Sequence, residues 1–408
     1  MTQTEPAPDG AATGSCPVHH FNYSDRKPAG TWFARYDELR EQTPLYWNEF
    51  GPGFWTVANY EGILEVLQKP ETFSSSVVTA LDPNPSYKWI PEMLDGDEHR
   101  QWRRQLGPLF SPKTAEHLEG KIRQRAIEFV DEILAEGSGE TEFMAEFAQR
   151  FPTTIFLELM GLPVDELPQF MVWEHDLLHT PAEVGIPSAE RKKTRAMMAV
   201  IGRFTAIIAE RRAEPRDDIV SKALTFEVDG NPVGDEDLLS FCLLMFMAGL
   251  DTVSITLGWA LHHLATHPED RARIIADPEL IPAAVEEILR VYAIVIPARK
   301  VMADTEIQGQ SMKAGDMVCI PLNAATRDAV AFDNAGAFEI DRFPNNHIAF
   351  GAGPHRCLGS HLARLELRIA LEEWHKRIPD YRLAADAELV ETGGQLGLTS
   401  LPLEWDPS

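Results

Sequence analysis

The chain has 408 residues, of which 44% are hydrophobic and 25% charged, a composition typical of a globular protein with a large core. Its 37 basic and 63 acidic side chains give a formal charge of −26, which disfavours nucleic acid and anionic membranes as partners. The four cysteines show no short-range pairing, so they indicate a reducing compartment and not a disulfide framework.

The first 20 residues are rich in Pro, Gly, Ala and Thr and lack apolar periodicity, which predicts a disordered tail. Cys16, His19 and His20 could bind a metal there, although a solvated tail is the simpler interpretation. No basic segment precedes an apolar core, so this is not the pattern of a secretory signal. The apolar run 238–250 is too short to span a bilayer. We therefore expect a cytoplasmic protein.

Helical patterns dominate beyond residue 20, and no stretch of linker composition divides the chain. Strand-like runs are few and short, at 53–57, 305–308 and 316–320. Alternating βαβ units are absent, which argues against a doubly wound sheet. Residues 21–408 are therefore predicted to form one mainly α domain with a small β-rich lobe.

Residues 235–267 contain no internal proline and predict one helix about 48 Å long. Its centre is apolar on nearly all sides and should be buried, yet it contains the segment AGLDT at 248–252. A mid-helix glycine costs about 1 kcal/mol, and an unpaired buried carboxylate costs several kcal/mol. Either this segment is a functional site, or Gly249 marks a helix crossing and Asp251 reaches a surface cation.

A second helix is predicted at 283–292, with Pro282 near its first turn. Glu287 and Arg290 are three positions apart and lie on one face of it. On frequency alone, such a pair is an exposed ion pair worth about 0.3–0.5 kcal/mol.

The most specific local pattern is FGAGPHRCLG at 350–359, followed by an amphipathic helix. Its glycines and proline predict a tight loop that places Cys357 at a helix N-terminus, where backbone amides favour a thiolate. Gly359 leaves the first turn without a side chain, so that a flat group could lie against it. A dinucleotide loop lacks its third glycine here, a zinc site lacks a fourth ligand, and a cysteine nucleophile lacks a nearby base. An axial haem ligand suits a single thiolate in this position.

Together these three segments resemble the cytochrome P450 family, whose members carry A-G-x-D-T, E-x-x-R and F-G-x-G-x-H-x-C-x-G in this order. The segments here are AGLDT (248–252), EILR (287–290) and FGAGPHRCLG (350–359). The resemblance covers about residues 21–408 and looks closest to the soluble bacterial class, in its camphor-hydroxylating branch. It implies a cytochrome P450-type fold, with a long central helix over haem b (iron protoporphyrin IX). The implied reaction converts R–H, O2, two electrons and two protons into R–OH and water.

The resemblance also implies roles for individual residues. Cys357 becomes the iron ligand, Asp251 and Thr252 supply protons for oxygen activation, and Gly249 opens room for oxygen. The remaining residues of the haem site are Phe350, Gly351 and Gly359, and the partners of the haem propionates are His99, Arg103, Arg299 and His355. Glu287 and Arg290 become part of a buried structural network.

The segment that contains Tyr87 and Trp89 resembles the substrate pocket of the camphor branch, in which a tyrosine hydrogen-bonds a substrate oxygen. The predicted pocket walls are Tyr87, Trp89, Leu244, Met247, Ala248, Val295 and Gln395. Such walls suit a compact terpenoid with one oxygen. Alternatively, Tyr87 and Trp89 are ordinary core aromatics.

No flavin or reductase domain is apparent in the sequence, so we expect electrons to come from a [2Fe-2S]-type ferredoxin, a ferredoxin reductase and NAD(P)H. We also expect the protein to be a monomer. An acidic ferredoxin could be steered to a basic surface formed by Arg100, Arg103, Arg104, Arg364 and Arg368. Two alternatives remain open: a peroxide-driven haem-thiolate enzyme, which the intact Asp251–Thr252 pair disfavours, and a non-catalytic haem-based sensor of gas or ligand.

Overall fold

The computed structural model describes residues 16–179 and 187–406, and helices are its main element. The α-helices are α1 (Thr31–Gln42), α2 (Tyr60–Gln68), α3 (Gly96–Leu106), α4 (Pro112–Ala135), α5 (Arg150–Leu159), α6 (Leu167–Glu174), α7 (Pro187–Ala213), α8 (Ile219–Ala223), α9 (Asp235–Gly249), α10 (Asp251–Thr266), α11 (Pro268–Ala276), α12 (Ile281–Val291), α13 (Leu322–Thr326) and α14 (Ser360–Arg377). Short 3₁₀ turns cover Gly107–Phe110, Val164–Glu166, Pro278–Leu280 and Gly353–His355, and π-helical turns cover Met144–Ala148 and His175–His179.

The strands are two to four residues long: β1 (Val18–His19), β2 (Lys27–Pro28), β3 (Leu45–Asn48), β4 (Phe54–Val57), β5 (Phe73–Ser74), β6 (Glu140–Glu142), β7 (Glu227–Val228), β8 (Asn231–Pro232), β9 (Ala298–Val301), β10 (Thr305–Ile307), β11 (Gln310–Met312), β12 (Met317–Cys319), β13 (Arg382–Leu383), β14 (Val390–Thr392), β15 (Gly397–Leu398) and β16 (Pro402–Glu404). Six of them form a sheet in the order β1-β3-β4-β12-β9-β5. In this sheet β3 and β4 are antiparallel, with Leu45 opposite Val57, and β12 is parallel to β4. The predicted mainly α architecture with a smaller β-rich part is confirmed.

The three runs predicted as strands contain β4, β10 and β12. Most of the remaining strands escaped sequence analysis because two or three residues are too few to show the alternation of polar and apolar side chains that marks a strand, and the four-residue strands β3 and β9 were also missed.

The chain joins the fold earlier than the predicted tail boundary at residue 20. Val18 and His19 form β1, in which Val18 lies opposite Trp47 of β3. The His19 ring packs edge-on against Tyr46 with 4.9 Å between centroids, and the Cys16 sulfur lies 3.7 Å from the carbonyl oxygen of Leu45. Residues 16–19 therefore belong to the edge of the sheet, whereas the rest of the predicted tail, residues 1–15, lies outside the described residues.

The long central helix is present as predicted, but it is interrupted once. α9 ends at Gly249 and α10 begins at Asp251, and Leu250 between them has φ −95° and ψ −54°. The Thr252 hydroxyl donates to the carbonyl oxygen of Ala248 at 3.1 Å, across this interruption. A threonine that takes the carbonyl one turn earlier bends a helix, so the polar residues lie where the axis changes.

Together α9 and α10 are long and apolar enough to cross a membrane by length and composition alone, with 32 residues and a mean hydropathy of 2.0 in the most apolar window. The predicted apolar run 238–250 is only part of this segment. Most side chains of α10 are buried, and α5, α7, α12 and α14 pack along the pair. A helix in the middle of a large core meets the same criterion, and this is the role of the segment here.

Glu287 and Arg290 of α12 form a buried network and not a surface ion pair, so the interpretation based on frequency is wrong. Both side chains are 0% exposed, and two bonds of 2.8 and 2.7 Å join the guanidinium to the carboxylate. Arg290 also donates to the carbonyl oxygens of Thr326, Ala335 and Ala337, and Glu287 also accepts from Arg342, Asn345 and the amide of Glu339. The network ties α12 to the segment that leads into the cysteine loop.

Candidate active site

A cavity of about 560 Å³ lies between the central helix, α3, α14 and the loop that precedes α14. The interruption of the central helix contributes Thr252 to its wall, α3 contributes His99, and the loop 349–359 contributes Cys357. Residues 293–297, which follow α12, complete the wall. Most of the residues predicted for cofactor, oxygen and substrate therefore converge on one cavity.

The loop before α14 owes its shape to two glycines in the left-handed region, Gly351 at φ 71° and Gly353 at φ 69°. A Cβ atom on Gly353 would also collide with the carbonyl oxygen of Leu67, at the end of α2. The amide of Cys357 donates to the carbonyl oxygen of Phe350 at 2.8 Å and closes the loop. The result is a rigid turn that exposes the Cys357 side chain to the cavity.

Cys357 precedes α14 by two intervening residues, so it does not begin the helix as predicted. Burial raises the pKa of the Cys357 thiol, and the hydrogen bond from the Gly359 amide and the charges of Arg103 and Arg356 only partly oppose this effect. The loop alone therefore does not make a thiolate. A cation bound to the sulfur would supply the missing stabilisation.

Beside Cys357, the cavity wall carries a cluster of hydrogen-bond donors: His99, Arg103, Arg299 and His355. The rings of His99 and His355 stack with centroids 4.0 Å apart, and His355 Nε2 lies 3.1 Å from Asp95 Oδ1. Arg299 is buried, and its Nη1 donates to the carbonyl oxygen of Ala298. Arg103 Nη2 donates to the carbonyl oxygen of Arg356 at 2.6 Å, which joins α3 to the cysteine loop.

This donor cluster has more donors than acceptors. Within the described residues, Nδ1 of His355 is buried without a hydrogen-bond partner. Burial lowers the pKa of Arg103 and of Arg299, and burial with positive neighbours lowers the pKa of His99 to about 3. Two carboxylates such as the haem propionates would supply the missing acceptors. A Cβ atom on Gly359 would meet no atom within 4 Å, so a flat ring has room there, and the residues fit haem.

Asp251 and Thr252 lie at the start of α10, Thr252 on the cavity wall and Asp251 buried beside it. Because the Thr252 hydroxyl proton is bound to Ala248, the oxygen atom of Thr252 can only accept hydrogen bonds from the cavity. Gly249 also lines the cavity, and a Cβ atom added to Gly249 would lie 3.3 Å from the Phe156 side chain of α5. Gly249 therefore combines the predicted opening towards the cavity with a close helix crossing.

Two buried acids in this region escaped sequence analysis. Glu174, at the end of α6, is 2% exposed, and its Oε1 has no hydrogen-bond partner in the described part of the chain. Burial and the neighbouring charge of Asp251 raise the pKa of Glu174 well above its usual range. Glu366, on α14, is buried in the cavity wall, and burial raises its pKa to about 8. No sequence pattern marks either residue, because a single glutamate in a helix is usually on the surface.

We expect Glu366→Gln to stabilise the haem-loaded protein at neutral and alkaline pH. The folded protein holds a proton on Glu366 up to about pH 8, whereas the unfolded chain loses it near pH 4.5. The contribution of this group to stability is therefore full below pH 4.5 and is lost as the pH rises towards 8, a loss of roughly 3–4 kcal/mol by pH 7.5. Glutamine, which does not titrate, avoids this loss.

Thermal unfolding of both proteins between pH 5 and pH 8 measures the effect. The midpoint of the variant should exceed that of the wild type at pH 7.5, and the two should nearly coincide at pH 5. Glu388→Gln, at an exposed glutamate, is the control and should show no such trend. Equal pH dependence in wild type and Glu366→Gln would contradict the prediction.

The structure brings all but one of the predicted pocket residues to the cavity: Trp89, Leu244, Met247, Ala248, Val295 and Gln395. Tyr87 is the exception, and its prediction as a pocket wall is corrected here. Its side chain is 38% exposed, and its ring packs on Trp89 with centroids 5.0 Å apart. Trp89 therefore stands in the wall, and Tyr87 lies on the outer side of it.

The predicted basic surface is largely neutralised by acidic neighbours. The ion pairs are Arg100 with Asp97, Arg364 with Glu286, and Arg368 with both Glu119 and Glu372. Arg103 points into the cavity. Arg104 is exposed and, in residues 16–179 and 187–406, forms no salt bridge, and the same holds for the neighbouring Arg356, which the prediction did not include. They are the cations of this surface that remain for a partner.

Comparison with known proteins gives matches along most of the chain. A sequence model described as "Cytochrome P450" matches residues 33–374. "Probable cytochrome P450 127A1" of Sinorhizobium fredii is 32% identical, over 87% of this chain and 84% of its own. "Mycinamicin IV hydroxylase/epoxidase" of Micromonospora griseorubida is 32% identical, over 92% of this chain and 96% of its own. The crystal structure of CYP101J2 aligns with a TM-score of 0.88 at 30% identity, over 99% of this chain and 100% of that one.

Proposed function

This chain belongs to the cytochrome P450 family and is a haem-binding monooxygenase, and we propose that it hydroxylates a small, hydrophobic, terpenoid-like molecule with electrons from a [2Fe-2S]-type ferredoxin. The observation that carries the proposed substrate class is the mainly aliphatic and aromatic wall of the cavity, whose volume of about 560 Å³ haem and substrate would share. Such a cavity binds compact apolar molecules by removing their surface from water.

Haem, when bound, supplies the activation of O2 by two electrons. In this chain Cys357 would ligate its iron, and the donor cluster of His99, Arg103, Arg299 and His355 would bind its propionates. Phe350, Gly351 and Gly359 line the cavity around Cys357 and would bound the cofactor there.

Proton handling would fall to the polar residues where the central helix is interrupted. Thr252 Oγ1, which accepts hydrogen bonds on the cavity side, can hold a water molecule there. Behind it, Asp251 and Glu174 are buried carboxyl groups, and burial together with the charge of Asp251 raises the pKa of Glu174 well above its usual range. The presence of this acid pair favours a monooxygenase over a peroxide-driven enzyme, which needs no proton delivery of this kind.

Ligand titration followed by turnover tests the proposed substrate class. The haem-loaded protein would be titrated with monocyclic and bicyclic monoterpenes, and the spin-state shift of the Soret band would give the dissociation constants. Binders would then be incubated with a surrogate ferredoxin, its reductase and NADH, and we expect a mono-hydroxylated product. NADH consumption without oxygenated product for every binder would contradict the proposal and favour the ligand sensor.

The proposed ferredoxin site is the surface of α3 and the cysteine loop around Arg104 and Arg356. Arg103 Nη2 bonds to the carbonyl oxygen of Arg356, so these two elements are in contact beside Cys357. A partner bound there would approach the haem ligand closely. The whole chain carries a formal charge of −26, but these two arginines, which form no salt bridge within the described residues, make a local site for an acidic partner.

We expect Arg104→Glu and Arg356→Glu each to raise the KM for ferredoxin about tenfold, equivalent to roughly 1.4 kcal/mol of binding energy. The matched control is Arg195→Glu, at an exposed arginine of α7, a helix that packs on α9 and not on the cysteine loop. Steady-state kinetics at several ionic strengths would measure the effect, which should shrink as salt rises. Equal KM values in all three variants would exclude this surface.

A further inference from the structure

We propose that the hydroxyl groups of Tyr23 and Thr79 act together as one hydrogen-bond donor in the cavity wall, and that this donor binds an oxygen atom of the substrate. The inference rests on the proposed function, because it names the polar group that the hydrophobic substrate would carry. It also replaces the role that the sequence suggested for Tyr87, which lies outside the cavity.

Both residues line the cavity, and their hydroxyl oxygens are 2.6 Å apart. Tyr23 is only 3% exposed, and its ring packs edge-on against Phe54 with 5.6 Å between centroids. Its carbonyl oxygen accepts a hydrogen bond from the amide of Gly394 at 2.9 Å. The ring contact and the backbone bond both restrain Tyr23, and the bond to Thr79 fixes the position of its hydroxyl group.

The hydrogen-bond partners of the two hydroxyls leave one proton unused. The Ala80 amide donates to the Tyr23 oxygen, and the Leu81 amide donates to the Thr79 oxygen at 3.3 Å. One of the two hydroxyl protons lies between the oxygens, since either group can be the donor. For the second proton, the described residues offer no acceptor. Whichever of the two hydroxyls donates to the other, the remaining O–H group is free to donate to an acceptor in the cavity.

The surroundings of the pair define what can supply this acceptor. Val77 and Val295 line the same cavity, and the arginines of its wall would be paired with the haem propionates. A charged ligand would therefore lose its hydration without gaining a counter-ion. A carbonyl, ether or hydroxyl oxygen on an apolar skeleton satisfies the donor at little cost. The hydroxyl pair thus assigns a binding partner in the cavity wall to the one oxygen that the sequence led us to expect on the substrate.

Matched pairs of ligands test the inference: camphor against its parent hydrocarbon bornane, and menthone against p-menthane. Dissociation constants from the spin-state shift give, for each protein, the ratio of hydrocarbon to ketone. We expect a ratio of about ten in the wild type and a ratio near one in Tyr23→Phe/Thr79→Val, mainly through weaker ketone binding. Each single variant keeps one hydroxyl and should give an intermediate ratio.

The ratio compares two ligands of the same protein, so a substitution that weakens the binding of both ligands equally leaves the ratio unchanged. A carbon monoxide difference spectrum of each variant confirms that the haem site is assembled. Ser24→Ala, which removes another hydroxyl from the cavity wall, is the control and should leave the ratio unchanged.

An unchanged ratio in the double variant would overturn the inference, and so would a ratio that falls only in Gln395→Leu. Ketone and hydrocarbon that bind equally to the wild type would overturn it while leaving the proposed function intact. If no member of either pair binds, the proposed substrate class fails and the inference fails with it.

Discussion

Replacement of Cys357 by serine is expected to abolish the thiolate-ligated haem spectrum and to lower monooxygenase activity by at least about a thousandfold, or roughly 4 kcal/mol of barrier. The reason is chemical, because a thiolate donates electron density to iron and favours cleavage of the O–O bond, whereas a serine hydroxyl does neither. The loop itself should persist, since its closing bond from the Cys357 amide to Phe350 does not involve the side chain. The absorption spectrum of the dithionite-reduced protein under carbon monoxide measures the result.

The matched control is Cys16→Ser, the same substitution at a cysteine on the sheet edge, 3.7 Å from the Leu45 carbonyl. This variant should retain the strongly red-shifted Soret band of the wild type. A red-shifted band that survives in Cys357→Ser, or a wild-type band of the imidazole-ligated kind, would exclude Cys357 as the ligand and the chemistry built on it.

Some of this site could be predicted from the sequence because its features are local. The pattern at 350–359 requires left-handed glycines around one cysteine, and the structure has Gly351 and Gly353 in that conformation. The central helix was predictable because an apolar run without proline has few alternatives. Its interruption at Leu250 agrees with the presence of Thr252, because a threonine hydroxyl that bonds to the carbonyl one turn earlier, here that of Ala248, bends a helix.

Other features depend on how distant segments pack, and no local pattern contains that information. Tyr87 and Trp89 are two positions apart, yet only Trp89 faces the cavity, because the course of their loop decides which ring turns inward. Glu174 meets Asp251 only after α6 has packed beside the central helix. The donor cluster that includes His99 and Arg299 was predicted from the resemblance to a family, because residues so far apart in the sequence share no local pattern.

The largest effect on stability is expected at Glu287, where Glu287→Gln should cost about 3–5 kcal/mol of unfolding free energy. Burial alone would raise the pKa of this carboxyl, but hydrogen bonds from Arg290 and Arg342 outweigh it and lower the pKa of Glu287. Removal of the negative charge leaves the buried guanidinium group of Arg290 without a carboxylate partner among the described residues and leaves Arg342 with Glu339 alone. The network also fixes the segment from Ala335 to Asn345, which precedes the cysteine loop. We therefore expect loss of haem as well as a lower unfolding midpoint.

The neighbouring Glu286 provides a matched control, because its side chain is 32% exposed where it pairs with Arg364 and His347, whereas that of Glu287 is 0% exposed. Glu286→Gln should cost at most about 1 kcal/mol, since solvent can replace the lost partner. Thermal unfolding and the ratio of Soret to protein absorbance separate the two variants. Similar losses of stability and haem in both variants would contradict the prediction that the burial of Glu287 makes its replacement more costly.

An apolar double replacement, Glu287→Leu/Arg290→Met, tests why the buried pair is needed. Buried ion pairs can often be exchanged for apolar residues without loss of stability. Here, however, Arg290 donates to the carbonyl oxygens of Thr326, Ala335 and Ala337. Methionine would leave the first two buried without a donor among the described residues, and the third with only the 3.5 Å bond from Arg342. The double variant should therefore remain as unstable as Glu287→Gln. Recovery of wild-type stability would show that the pair, and not its backbone contacts, sets the energetics of this network.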